Sequence, residues 1–171
     1  MNLAQTDFYH LINEVYGIMS TLIVERGIYL HTDIALDVPK WIHTDGKRLK
    51  QALFNLIGNA NKFTFNGGIT LKVYNYDKTR IKVEIKDTGI GINEEDIAKL
   101  FSPFGKLQSS QEINTSGVGL GLSISKMVVN KLNGDVWCTS VKDKGTTFHF
   151  TFEHKRDLLP KEKLLSRKTN F

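Results

Sequence analysis

Residues 45–92 read DGKRLKQALFNLIGNANKFTFNGGITLKVYNYDKTRIKVEIKDTGIGI, and two different periods within this stretch decide the fold. Asp45 stands where a helix N-cap belongs, and from about Gly46 to Phe63 the apolar Leu49, Leu53, Leu56, Ile57 and Ala60 recur at helical spacing. After the turn signal Asn66-Gly67-Gly68, ITLKVYNY and RIKVEIKD alternate apolar and polar, as the two strands of a hairpin do. Such hairpins, without a strict strand-helix-strand alternation, exclude a doubly wound sheet. They predict an α/β two-layer sandwich: one mixed, mostly antiparallel sheet covered on one face by helices.

The flanking sequence fits that frame. Upstream, residues 8–26 place Leu11, Ile12, Val15, Ile18, Met19, Leu22 and Ile23 at helical spacing, with Gly27 ending the run. Two short β-like runs follow, IYLHTDI and KWIHT. Downstream, residues 93–117 are rich in Gly, Ser, Gln and Asn, which predicts a mobile loop with one short helix at its start. A helix is expected from Val118 to Leu132, then strands DVWCTSVK and TTFHFTFE turned at Asp143-Lys144-Gly145. The expected organisation is one domain over 1–154 and a C-terminal tail or linker over 155–171.

Of the 171 residues, 40% are hydrophobic and 24% charged, the balance of an ordinary soluble globular chain. There is no apolar run near the ~20 residues that cross a bilayer and no signal-peptide pattern, so a cytoplasmic chain without a membrane segment is expected. The lone Cys138 permits no internal disulfide. The net charge of +5 comes from scattered lysines and arginines, apart from the tail, where they alternate with acidic and apolar residues. That pattern reads as a solvated segment rather than a nucleic-acid site.

Three local patterns carry chemistry. On the 46–63 helix, Gln51, Asn55, Asn59 and Phe63 are four apart and Lys62 lies three beyond Asn59, so all five share one side, opposite the apolar face. Asparagine costs up to ~0.7 kcal/mol against alanine inside a helix, so two at one azimuth point to a task beyond packing. An amide oxygen suits Mg²⁺ and a lysine suits phosphate, although the face alone reads equally as a hydrogen-bond ladder between helices. Next, Asp87-Thr88-Gly89-Ile90-Gly91-Ile92 follows a strand whose period turns Asp87 inward with Ile81, Val83 and Ile85. A buried carboxylate needs a donor, such as the exocyclic amine of adenine, and Gly89 and Gly91 let the backbone turn and approach a flat ring. Finally, Gly117-Val118-Gly119-Leu120-Gly121-Leu122 opens a helix, where free N–H groups and the helix dipole attract phosphate. No strand leads into these glycines and no G-x-x-x-x-G-K-[ST] run exists, which excludes dinucleotide-fingerprint and P-loop folds.

In order, Asn55 to Thr64, Asp87 to Gly91, Leu100 to Phe104, Gly117 to Gly121 and Gly145 to Phe148 resemble the five motif boxes of histidine-kinase catalytic domains. These domains share the nucleotide fold of gyrase, the mismatch-repair ATPase and the ninety-kilodalton heat-shock chaperone. The resemblance covers about Phe8 to Phe152. It implies ATP and Mg²⁺ as cofactors, with Asn55 and Lys62 catalytic, Asn55 on the metal, and Asn59 and Lys62 toward phosphate and ribose. It further implies Phe63 against adenine, Asp87 accepting its amine beside Gly89, Gly91 and Ile92, and Thr146 supporting that contact, directly or through water. Residues 93–117 become an ATP lid anchored by Phe101 and Phe104, its phosphate end formed by Gly117, Val118, Gly119, Leu120 and Gly121. His10, His31, His43, His149 and His154 match no motif.

Gln51 separates the activities within this resemblance. Hydrolytic relatives carry a glutamate there as general base, and an amide cannot take that proton. The resemblance therefore implies a kinase whose acceptor is a histidine on a separate dimerisation domain, feeding a response regulator, with the isolated domain monomeric. No histidine here is followed by an acidic residue as the family's acceptor is, so a fragment or a domain acting in trans is expected. Two other readings stay open: an ATP-dependent binding module without transfer, and a related ATPase.

Overall fold

The computed structural model describes residues 2–101 and 121–156. In chain order they form β1 (Ala4–Asp7), α1 (Phe8–Val24), β2 (Tyr29–Ile34), β3 (Trp41–Thr44), α2 (Gly46–Phe63), β4 (Gly68–Asn75), β5 (Arg80–Asp87), α3 (Glu94–Ile97), α4 (Gly121–Lys131), β6 (Val136–Val141), β7 (Gly145–Glu153) and β8 (Lys155–Arg156). The main sheet has the order β2-β4-β5-β7-β6. Only β2 and β4 run parallel, and the long connection that a parallel pair needs is supplied by β3 and α2. The other pairings are antiparallel, so the mixed, mostly antiparallel sheet expected from the hairpins is the one observed.

Helices α1, α2 and α4 cover one face, with α2 in contact with both of the others. The apolar side of α2 (Leu49, Ala52, Leu53, Leu56, Ile57 and Ala60) is buried in one core with Ile69, Leu71 and Val73 of β4 and Ile81, Val83 and Ile85 of β5, two strands that α2 contacts. Each fully buried Leu or Ile contributes roughly 1.5–3 kcal/mol, so this one helix face anchors the whole layer. Its start is fixed by Asp45, whose carboxylate accepts from the Arg48 N–H at 3.3 Å, the Arg48 Nε at 3.2 Å and the Asn2 N–H at 2.9 Å.

A second sheet was not expected from the sequence. Strands β1, β3 and β8 form it, with Ala4–Asp7 antiparallel to Trp41–Thr44 and β8 pairing Ile42 with Arg156. KWIHT is thus a strand, but of this smaller sheet, and backbone pairing continues two residues beyond position 154. The sequence AQTD holds one apolar residue and no alternation, so its pairing depends on a partner 34 to 40 positions away, which no local pattern reports.

Candidate nucleotide site

Asp87 is the last residue of β5 and follows Ile81, Val83 and Ile85 onto the helix-covered side, where it is 3% exposed. Two backbone donors meet on its Oδ1, Gly89 N–H at 2.8 Å and Thr146 N–H at 3.2 Å. Oδ2 accepts from none of the described residues. Burial raises the Asp87 pKa above the ordinary carboxylate value, and the two N–H donors only partly offset it. The side chain is thus a buried acceptor with unused capacity.

The turn after Asp87 is held by close backbone contacts. Phe63, the last residue of α2, accepts from Ile90 N–H through its carbonyl at 3.2 Å, and Ile90 O accepts from Asp143 N–H at 2.8 Å. A Cβ on Gly89 would overlap the Phe63 carbonyl, and one on Gly91, at φ +64°, would overlap the Val141 carbonyl. The glycines are therefore required by approach to the protein's own backbone, whatever lies beyond. The outcome is that the C-terminal end of α2, the Asp87 turn and the β6–β7 hairpin meet at one place.

The polar side of α2 faces the described start of α4. Asn55 Nδ2 donates to Gly121 O at 3.5 Å, the long end of hydrogen bonding, and Asn59 Nδ2 is the nearest atom, 3.9 Å away, to the space a Cβ on Gly121 would fill. Lys62 Nζ lies 5.4 Å from the centroid of the half-buried Phe63 ring, within cation–π range. Asn55, Asn59, Lys62 and Phe63 are all half-buried, while Gln51, one turn earlier, is exposed. Ile92 and Phe101 pack as partly buried residues against the core. Phe104, Gly117, Val118, Gly119 and Leu120 lie outside the described residues, as do most of the expected lid, the first turn of the helix expected from Val118, and the tail beyond Arg156.

One polar residue in the middle of this arrangement was not singled out from the sequence. Ser140 Oγ accepts from Ile92 N–H at 2.8 Å, donates to Gly145 O at 2.9 Å and lies 2.9 Å from Thr146 Oγ1. Its signal was available: on β6 it shares the inward register with Val136 and Cys138, where a hydroxyl is out of place without partners. Cys138 itself is a core residue. Burial, then the nearby Asp87 carboxylate, push its thiol up to about 12, so it carries no thiolate at neutral pH. Among the described residues no group of three or more His, Cys, Asp or Glu could hold a metal ion. Any cation here would rest on an amide oxygen such as that of Asn55 and on ligand oxygens.

Residues 44–156 match the family described as "Histidine kinase-, DNA gyrase B-, and HSP90-like ATPase". The signal transduction histidine-protein kinase BarA of Escherichia coli K12 is 38% identical over 143 residues, covering 81% of this chain and 16% of BarA. Full-length ShkA in complex with AMPPNP superposes with a TM-score of 0.82 at 31% identity, covering 94% of this chain and 33% of ShkA. Histidine kinase ThkA, in complex with the response regulator protein TrrA, gives 0.72 at 26% identity, covering 90% of this chain and 42% of ThkA. With the sheet order, the inward Asp87 and the polar face of α2 already in place, the match places the chain in the histidine kinase-, gyrase- and HSP90-like ATPase family, as a catalytic domain of the histidine kinase kind.

Proposed function

We propose that this domain binds Mg-ATP in the space framed by α2, the Asp87 turn and the start of α4. From there it donates the γ-phosphoryl group to a histidine on a separate dimerisation domain, which then supplies a response regulator. The observation that carries this reading is Asp87: a nearly fully buried carboxylate with an oxygen that accepts no bond from the described residues, at the end of the strand facing α2. The amine of adenine supplies the missing donor. Phe63 would lie along the ring, while Gly89, Gly91 and Ile92 shape the turn beside it.

Mg-ATP, when bound, supplies the transferable phosphoryl group. The chain's own task is positioning and charge. Asn55 offers an amide oxygen to Mg²⁺, which takes few protein ligands and keeps phosphates and water for the rest. Lys62 and Asn59 would hold phosphate and ribose oxygens, Gly117 to Gly121 would offer N–H groups to phosphate, and Phe101 and Phe104 would anchor the lid. Gln51 provides no base to activate water, so an imidazole that needs little activation suits this site better than hydrolysis. The named activity of BarA and the TrrA complex of ThkA support the histidine acceptor and the response regulator. We also propose residues 1–154 as a monomeric ATP-binding unit, with 155–171 as a linker whose first two residues pair onto β3, working in the cytoplasm and without nucleic acid. No described helix is long and apolar enough to cross a membrane.

The test supplies an acceptor helical hairpin from a histidine kinase such as BarA, with labelled ATP and Mg²⁺. Acid-labile label on the acceptor is expected, with little hydrolysis when the hairpin is left out. Asn55→Ala should lower transfer by at least about 100-fold, about the loss of one well-placed electrostatic contact. Brisk hydrolysis without acceptor would overturn the reading.

A further inference from the structure

We infer that Ser140 is a positioning residue that fixes the hydroxyl proton of Thr146, so that Thr146 and Asp87 together present acceptors and no donor to the nucleobase. This inference rests on the adenine site proposed above and adds to it the group that sets its polarity.

The argument is a count of protons. A serine hydroxyl has one proton and two lone pairs. Around Ser140 Oγ stand three partners at hydrogen-bonding distance: Ile92 N–H at 2.8 Å, Gly145 O at 2.9 Å and Thr146 Oγ1 at 2.9 Å. Ile92 N–H can only donate, so it occupies one lone pair. The Gly145 carbonyl can only accept, so it takes the single Ser140 proton. One lone pair then remains, and the third contact is a hydrogen bond only if Thr146 donates. Any other assignment withholds the Ser140 proton from the Gly145 carbonyl, or sets two lone pairs against each other at a half-buried hydroxyl.

The consequence falls on Thr146. It is 6% exposed, and its backbone N–H is already given to Asp87 Oδ1 at 3.2 Å. With its hydroxyl proton committed to Ser140, its Oγ1 keeps only lone pairs for other partners. Asp87 Oδ2 is likewise an acceptor. A purine with a 6-amino group meets this pair with a donor. A 6-oxo purine meets it with a third acceptor, and a threonine held in this way cannot rotate to relieve the conflict.

The experiment measures the affinities of ATP and ITP, which differ at that 6-position, for the whole chain and its variants. The wild-type chain should prefer ATP by at least about 100-fold, as sites that hydrogen-bond a substrate's polar group do. Ser140→Ala frees the Thr146 hydroxyl, and the ATP-to-ITP ratio should fall by about tenfold. In a Thr146→Val background, Ser140→Ala should leave the ratio unchanged, because the two residues act through one proton. If Ser140→Ala does not fold, Ser140→Cys, a weaker donor and acceptor, carries the same comparison. An unchanged ratio, whether both affinities hold or both weaken together, overturns the inference, as does an equal effect of Ser140→Ala with and without Thr146. A wild-type chain that binds neither nucleotide overturns the nucleotide reading itself.

Discussion

At Asp87 stability and the proposed adenine contact pull in opposite directions. Because burial raises its pKa in the fold, ionising it works against folding. That penalty is absent below the ordinary carboxylate value of 3.8 and develops as pH rises toward the raised folded value. Asp87→Asn keeps an oxygen for the Gly89 and Thr146 N–H groups and removes the charge. Thermal unfolding of the ligand-free variant is expected at the wild-type temperature or above it, while calorimetric affinity for ATP falls by about 100-fold, since a donor now faces the amine. Loss of stability and affinity together would show that Asp87 is only a structural carboxylate. The inward position of Asp87 was legible from the alternation of RIKVEIKD, because the period of a strand is strict. The role of Ser140 was not. Its contacts join Ile92, Gly145 and Thr146, and the first of these spans 48 positions, a meeting that depends on the register of β6 against β7 and on the path of the Asp87 turn.

Among the elements, α2 is the one the sequence specified most completely. Its expected span, its Asp45 cap and its division into an apolar and a polar side all appear in the structure, because cap chemistry and helical period are local. The small sheet is the opposite case. β1 and β8 are short, and they are strands only because β3 lies between them. Asp45 connects the two levels, since its carboxylate caps α2 and also holds the Asn2 N–H that leads into β1. Burial acts to raise its pKa, but the N–H groups of Asn2 and Arg48 and the Arg48 guanidinium outweigh that and hold it below the usual value. Asp45→Ala should therefore lower stability by about 1–2 kcal/mol, the upper range for a helix cap. It should also speed hydrogen exchange in β1 and the first turn of α2 together. Faster exchange in α2 alone would mean that the cap does not tie down β1.

Across the whole molecule, the sheet has two unlike faces. One is packed by helices and carries the proposed nucleotide site; the other carries a polar network that no described helix covers. On that open side Glu84 of β5 accepts from the Tyr74 hydroxyl of β4 at 2.6 Å and pairs with Lys82 Nζ at 2.9 Å and His149 Nδ1 of β7 at 3.2 Å. The His149 ring stacks on Trp137 of β6, with centroids 5.2 Å apart, and its Nε2 meets Thr139 Oγ1 at 2.9 Å. Burial, then Lys82, lower the His149 pKa, and Glu84 only partly restores it. Its contribution to stability is therefore complete above its unfolded value of about 6.5 and is lost as pH falls through the lower folded value. Glu84 is also held low: burial opposes its ionisation, but Tyr74, Lys82 and His149 outweigh it. Its contribution disappears only at more acid pH, below about 4.5. Acid should therefore destabilise the ligand-free domain in two stages, histidine first and carboxylates second. His149→Gln, which can still hydrogen-bond but cannot take a proton, should remove the first stage and keep the second in thermal melts recorded from pH 7 to 4. If wild type and variant decline in parallel over the whole range, the first stage belongs to another group and the open face plays no part in it.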